Sequence, residues 1–192
     1  MKDDMTYLDK NNIDIIPATI ADYPVIQNLA RFYVYDRSGY MGWGCEKNGM
    51  FECIDFQHYF EDRLREAFMV KLNNEIAGFA LIYKEITTPK TNCPTEYSLQ
   101  NEAWNMGEFF IIAKFQGKGI ASFVAQEIFK THPGKWSVAV MPENIKAAHF
   151  WRKIIKEVSD DNYTEVFKTA DELRCKENPD PYDMNIMEFI CK

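Results

Sequence analysis

The alternation of apolar and polar positions divides the chain into short strands and amphipathic helices. Ile13 to Pro17 is a brief apolar run that predicts a strand. Ala21 and Asp22 open a helix with Pro24 in its first turn, where a missing N–H costs little, and Val25, Ile26, Leu29, Phe32 and Tyr33 form its apolar face. Phe56 to Arg65 reads as a second amphipathic helix. Ala67 to Leu72 and Ile76 to Ile86 read as strands joined by Asn73, Asn74 and Glu75, a hairpin signal weaker than Asn-Gly. Thr87 to Asn101 contains Pro89 and Pro94 and reads as a loop. Met106 to Ala113 is an apolar run with one embedded charge, Glu108. From Ile120, the residues Ile120, Phe123, Val124 and Ile128 share one helical face, ending before His132, Pro133 and Gly134. Lys135 to Val140 restarts as a strand closed by Pro142, and Ala147, Phe150, Trp151 and Ile154 mark another helix. Tyr163 to Thr169 and Met184 to Ile190 read as closing strands.

This order of elements implies an α/β fold with a mixed central sheet flanked by helices, antiparallel early and parallel around the central strand-helix units. Residues 1–12 are polar and are expected to be a flexible N-terminal segment, with 13–192 forming one domain. A chain of 192 residues, 46% apolar and 27% charged, is long enough to bury a sizeable core. It has no apolar run of the roughly 20 residues that span a bilayer, and no signal-peptide core. No membrane association and a cytoplasmic location are therefore expected.

The five cysteines, Cys45, Cys53, Cys93, Cys175 and Cys191, are odd in number and lack C-x-x-C spacing, so they are expected to be reduced thiols. His58, His132 and His149 lie in separate segments and form no motif with them, and no metal is expected. The net charge of −7 argues against nucleic acid, whose binding draws on Lys and Arg. A cationic partner such as an amine suits it better.

The chemistry concentrates between Trp104 and Trp151. Gln116, Gly117, Lys118, Gly119, Ile120 and Ala121 place a glycine turn directly before a helix. The first N–H groups of such a helix lack intrahelical partners and sit at the positive end of its dipole, which suits an anion. Glycine lets the backbone approach closely and tolerates φ > 0, and Lys118 adds a cation. A phosphorylated ligand is the expectation.

These residues resemble the GNAT superfamily of N-acetyltransferases. Gln116, Gly117, Lys118, Gly119, Ile120 and Ala121 fit its Q/R-x-x-G-x-G/A acyl-CoA signature. Asn144, Ala147, Phe150 and Trp151 look like its N-x-x-A-x-x-F-Y pattern, with tryptophan in place of the usual tyrosine. The resemblance implies a sheet whose parallel motif strands splay apart and acetyl-CoA held at the glycine turn. It further implies that the backbones of Phe110, Ile111 and Ala113 line the pantetheine arm by β-augmentation. Asn144, Phe150 and Trp151 are also expected to contact the cofactor.

By resemblance to polyamine acetyltransferases of the family, Glu108 is the candidate base or amine anchor. Backbone N–H of Ile111 is the candidate oxyanion donor. An indole cannot serve as a practical acid at position 151, so Tyr40, in a proposed mobile lid from Tyr35 to Glu52, or a water is the candidate substitute. Direct transfer to a primary amine in a ternary complex is the expected mechanism, the acceptor being a small molecule or a peptide. Whether the chain pairs into a homodimer is left open. Two rivals stand beside it. One is a non-catalytic acyl-CoA-binding module. The other is a dinucleotide-binding oxidoreductase, to which Gly117, Gly119 and Ser122 give a loose G-x-G-x-x-G.

Overall fold

The computed structural model describes residues 10–85, 102–175 and 178–192. The expected loop at 87–101 and residues 1–9 of the expected N-terminal segment lie outside them; residues 10–12 form a 3-10 turn.

Seven strands make one sheet in the order β1-β2-β3-β4-β5-β7-β6. They are β1 Ile13–Pro17, β2 Arg65–Leu72, β3 Glu75–Glu85, β4 Ala103–Ile111, β5 Gly134–Val140, β6 Tyr163–Lys168 and β7 Met184–Cys191. Every neighbouring pair is antiparallel except β4 and β5. The β2–β3 hairpin turns through Asn73 at φ 52° and Asn74 at φ 65°. Asparagine tolerates that left-handed region, and two such residues match the twist of a hairpin.

The period of two along the strands sorts side chains onto two cores. Phe68 and Val70 of β2 join one core with Ile120, Val124, Ile128, Ile154 and Ile155, from α3 (Ile120–Thr131) and α4 (Ile145–Val158). Ala67 and Met69 face the opposite core, with Ile26 and Ala30 of α1 (Tyr23–Met41) and Tyr59 of α2 (His58–Glu61). Each fully buried large side chain, such as Phe129 or Ile154, contributes about 1.5–3 kcal/mol of transfer free energy.

Three expectations are corrected. The helix expected from Phe56 to Arg65 is only the single turn α2, because Asp62 starts a tight turn and Arg65 already pairs with Tyr83 in the sheet. The first helix runs further than its apolar face suggested, to Met41, where Gly42 at φ 71° ends it by donating its N–H to the Ser38 carbonyl at 2.9 Å. Cys175 is disulfide-bonded, against the expectation of thiols, whereas Cys45, Cys53 and Cys191 are free. A bond of that kind depends on which segments the fold brings together, and cysteine spacing does not disclose it. A short helix in the polar segment before β7, α5 Ala170–Leu173, was also missed. Its capping box, Thr169 with Glu172, is a legible signal.

Candidate active site

The centre of the site is where β4 hands over to α3. Gly117 and Gly119 adopt φ values of 73° and 82°, a region in which a β-carbon is strained. Gly119 is the N-cap of α3, and no side chain caps the helix there. The turn is pinned from behind, since Gln116 Nε2 donates to the Ile111 carbonyl at the end of β4 at 2.7 Å. Lys118 is exposed between the glycines, and a β-carbon added at Gly117 would meet nothing within 4 Å. The α3 N-terminus thus faces open space with its first N–H groups available to an anion. Ile120 is fully buried and Ala121 packs against the α3-side core, so both offer the turn only their backbone.

Beside this turn the sheet opens. The strands β4 and β5 pair only at Trp104–Trp136 and Asn105–Ser137, and beyond that they have no ladder. A cleft of ≈ 210 Å³ occupies the gap, edged by Gly107, Glu108, Phe109, Val138, Asn144 and Trp151. Ile112 N–H donates to the Ala77 carbonyl on β3. Because backbone groups alternate along a strand, the N–H of Ile111 is directed the other way, toward the gap. The same alternation turns the backbone of Phe110 toward β3, opposite Phe79, while its ring is buried on the α1 side. Phe109, absent from the sequence expectation, edges the gap in its place. Ala113 is exposed and opens a 3-10 turn, its carbonyl accepting from Gln116 N–H at 3.2 Å.

Asn144 is the N-cap of α4: its Oδ1 accepts from Ala147 N–H at 3.1 Å, leaving the amide nitrogen for any other contact. Trp151 is 6% exposed, with ring centroids 5.2 Å from Phe109, 4.9 Å from Phe150 and 6.1 Å from Phe129. Phe150 stacks on Phe109 at 6.0 Å.

Glu108 stands on the α1 side of β4, just past a bulge. The register steps from Leu81–Glu108 to Ile82–Met106, so Gly107 has no partner on β3. A β-carbon at Gly107 would lie 2.1 Å from the Tyr59 hydroxyl oxygen, so glycine is what lets α2 press against the strand. The Glu108 side chain is only 19% exposed, and one oxygen lies 3.9 Å from Arg37 Nη1. Burial raises its pKa, an effect opposed by the Arg37 charge and by the Tyr33 hydroxyl. Arg37 Nη1 donates to that hydroxyl at 3.1 Å.

Glu108 and Arg37 also line a cavity of ≈ 800 Å³ between α1, the segment after it and the segment before β7. Glu46, Glu52, Glu85 and Asp180 join Glu108 in its wall, against the single cation Arg37 among the described lining residues. Its apolar walls include Trp43, Phe51, Tyr83 and Tyr182.

Tyr40 is not in a mobile lid but in the last turn of α1, beside Arg37, and it lines neither cavity. The helix continues past Tyr35 because Tyr33 and Arg37 still face the sheet. Tyr33, Arg37 and Gly107 were not singled out as site residues, whereas Trp43 lies in the segment after α1 that was expected to help shape the acceptor site. An arginine four residues after Tyr33 on an apolar face, and a glycine beside the only charge of a strand, were the available signals. Among the described residues no group of side chains could hold a metal ion, and no helix is long and apolar enough to cross a membrane.

The glycine turn at an uncapped helix and the parted parallel strands are the features by which relatives can be weighed. The family model described as the Acetyltransferase (GNAT) family matches residues 29–155. The chain belongs to that family. Its fold is similar to solved GNAT and related acetyltransferases. A GNAT acetyltransferase from Elizabethkingia anophelis with acetyl-CoA bound superposes with a TM-score of 0.55 at 15% identity, covering 94% of this chain and 99% of that one. A ribosomal L7/L12 N-terminal serine acetyltransferase from Salmonella typhimurium gives 0.58 at 14%, covering 95% and 97%. A spermidine N-acetyltransferase chimera based on Vibrio cholerae gives 0.56 at 17%, covering 93% and 95%. No protein of curated function matches the sequence.

Proposed function

We propose that this GNAT protein transfers the acetyl group of acetyl-CoA directly to a cationic primary amine. One observation carries it: the uncapped N-terminus of α3, behind two left-handed glycines, lies beside the gap between β4 and β5. The residues present fit the co-substrate. The N–H groups of the turn and Lys118 would hold its diphosphate, the free N–H of Ile111 and the backbone of Phe109 its pantetheine arm, and Phe150 and Trp151 would bound the gap. Similar structures support this, one with acetyl-CoA bound, one a spermidine N-acetyltransferase and one that modifies a protein N-terminal serine.

The acceptor would enter from the acidic, aromatic cavity, where carboxylates outnumber Arg37 among the described lining residues. A primary amine with pKa near 10.4 must lose a proton, at about 4–5 kcal/mol at pH 7. Glu108 accepts that proton, directly or through water, and the neutral nitrogen then bonds to the thioester carbonyl carbon and takes on a positive charge. The N–H of Ile111 stabilises the charge on the carbonyl oxygen. The C–S bond then breaks, the sulfur leaving as thiolate, an adequate leaving group because its thiol has a pKa near 8.5, and the second proton of the cationic nitrogen passes through water to that thiolate, leaving a neutral amide and a thiol. No covalent acyl-enzyme is involved.

The test is turnover of acetyl-CoA against a panel of diamines, polyamines, amino acids and peptides, with products identified by mass spectrometry. Acetylation is expected for a cationic amine and is expected to fall by at least 100-fold in Glu108→Gln. Since the acid is active only when ionised, kcat/KM should be lost as pH falls through a value above the ordinary 4.5. Coenzyme A binding without turnover of any amine would instead establish a non-catalytic acyl-CoA module.

A further inference from the structure

We infer that Arg37 is a positioning residue: a counter-ion tethered away from Glu108, so that the carboxylate stays ionised yet keeps an oxygen open to the amine. This rests on Glu108 being the proton acceptor. The guanidinium is committed elsewhere. Nη1 donates to the Tyr33 hydroxyl at 3.1 Å and Nη2 to Met141 Sδ at 2.9 Å. Its plane lies against two rings, 5.0 Å from Tyr33 and 5.3 Å from Trp43. These contacts fix it from α1, from the segment after α1 and from the end of β5. They hold its nearest nitrogen 3.9 Å from Glu108, beyond hydrogen-bonding distance.

That spacing has a consequence. A closely hydrogen-bonded arginine would saturate the carboxylate, and an incoming ammonium would have to displace it. Without a cation beside it, burial would favour the protonated form of the acid, which cannot accept. A charge held just off contact avoids both. The other titratable groups that face Glu108 are Tyr33 from α1, Tyr59 from α2 and Tyr83 from β3. Burial raises all three, Tyr83 to about 12, so they stay neutral at pH 7; the Tyr33 hydroxyl favours the ionised acid by hydrogen bonding, and Arg37 is the cation that acts on it and does so more strongly. Arg37 also contacts Trp43, whose ring meets Tyr182 at 5.7 Å, so one side chain joins the acid to both aromatic walls of the cavity.

The experiment follows the carboxyl itself. In protein labelled with ¹³C at the glutamate carboxyl, the Glu108 resonance is assigned by its loss in Glu108→Gln and titrated in the absence of any substrate. Arg37→Gln and Arg37→Met should raise its midpoint by about 1–2 pH units, and Arg37→Lys should restore it to within about half a unit. A purely structural arginine would leave the midpoint where it is. Folding of each variant is checked by its amide spectrum, and Arg37→Gln, which retains a donor toward Tyr33, carries the prediction should the methionine variant unfold. An unchanged midpoint in a folded neutral variant overturns the inference. A raised midpoint in a protein that acetylates no amine upholds this electrostatic arrangement and overturns the acetyl-transfer reading, so the two fail separately.

Discussion

Replacing Gly117 by alanine separates backbone strain from ligand binding. A β-carbon there would meet no atom within 4 Å, so the cost in the free protein is conformational only. At φ 73° an L-residue is less stable than glycine by about 1–2 kcal/mol, which for a protein of this size lowers Tm by roughly 2–8 °C. Gly49 is an internal control, because it has φ 81° and equally open surroundings but lies far in sequence from the α3 turn, in the segment after α1. The two alanine variants should lose similar stability. They should differ in coenzyme A affinity. The new methyl group at position 117 stands where the diphosphate would approach, and loss of one charge-assisted N–H···O bond, about 1.5–3 kcal/mol, weakens binding by about 10- to 150-fold. Gly49→Ala should bind as the wild type does. Isothermal titration with coenzyme A, beside thermal unfolding, reads both quantities. Undiminished affinity in Gly117→Ala, or an equal loss in both variants, would refute the assignment of the diphosphate to this turn.

Further expectations concern the walls of the site. Trp151→Ala should cost about 3–5 kcal/mol in urea unfolding, because the indole is 6% exposed among Phe109, Phe129 and Phe150. Gly78→Ala should cost about 3 kcal/mol or more by the same measurement, since its β-carbon would come within 2.0 Å of the Phe110 carbonyl oxygen and 3.0 Å of Ile111 Cα, both backbone atoms that cannot step aside. The Arg152–Glu165 pair lowers the Glu165 pKa by hydrogen bonding, so its stabilisation is present above the ordinary 4.5 and fades as pH falls through the lowered value. Being at the surface, it is worth under about 1 kcal/mol, so Arg152→Ala should show a small deficit at pH 7 that shrinks as the pH is taken below the ordinary 4.5 in paired denaturant titrations.

Most of the fold was legible because its signals are local. Strand β5, α3, β6 and β7 fall within a residue or two of the positions their apolar spacing predicts, and α4 contains its predicted apolar face. The glycine turn was legible for the same reason: the backbone shape that presents N–H groups to an anion is written in consecutive residues. The end of α1 and the brevity of α2 were not, because Arg65 is claimed by a partner strand 18 residues downstream and sheet pairing overrides helical spacing.

The sequence alone determined the family, the order of elements and the turn on which the cofactor reading stands, since each depends on neighbours along the chain. Only the tertiary structure decided what surrounds Glu108. The parting of β4 from β5 after two residue pairs, the bulge at Gly107 where β4 meets β3, and the tether that Met141, 104 positions along the chain, places on Arg37 all join separate elements of the fold. The charge state of a buried acid is set by such neighbours through space, and no pattern along the chain carries that information.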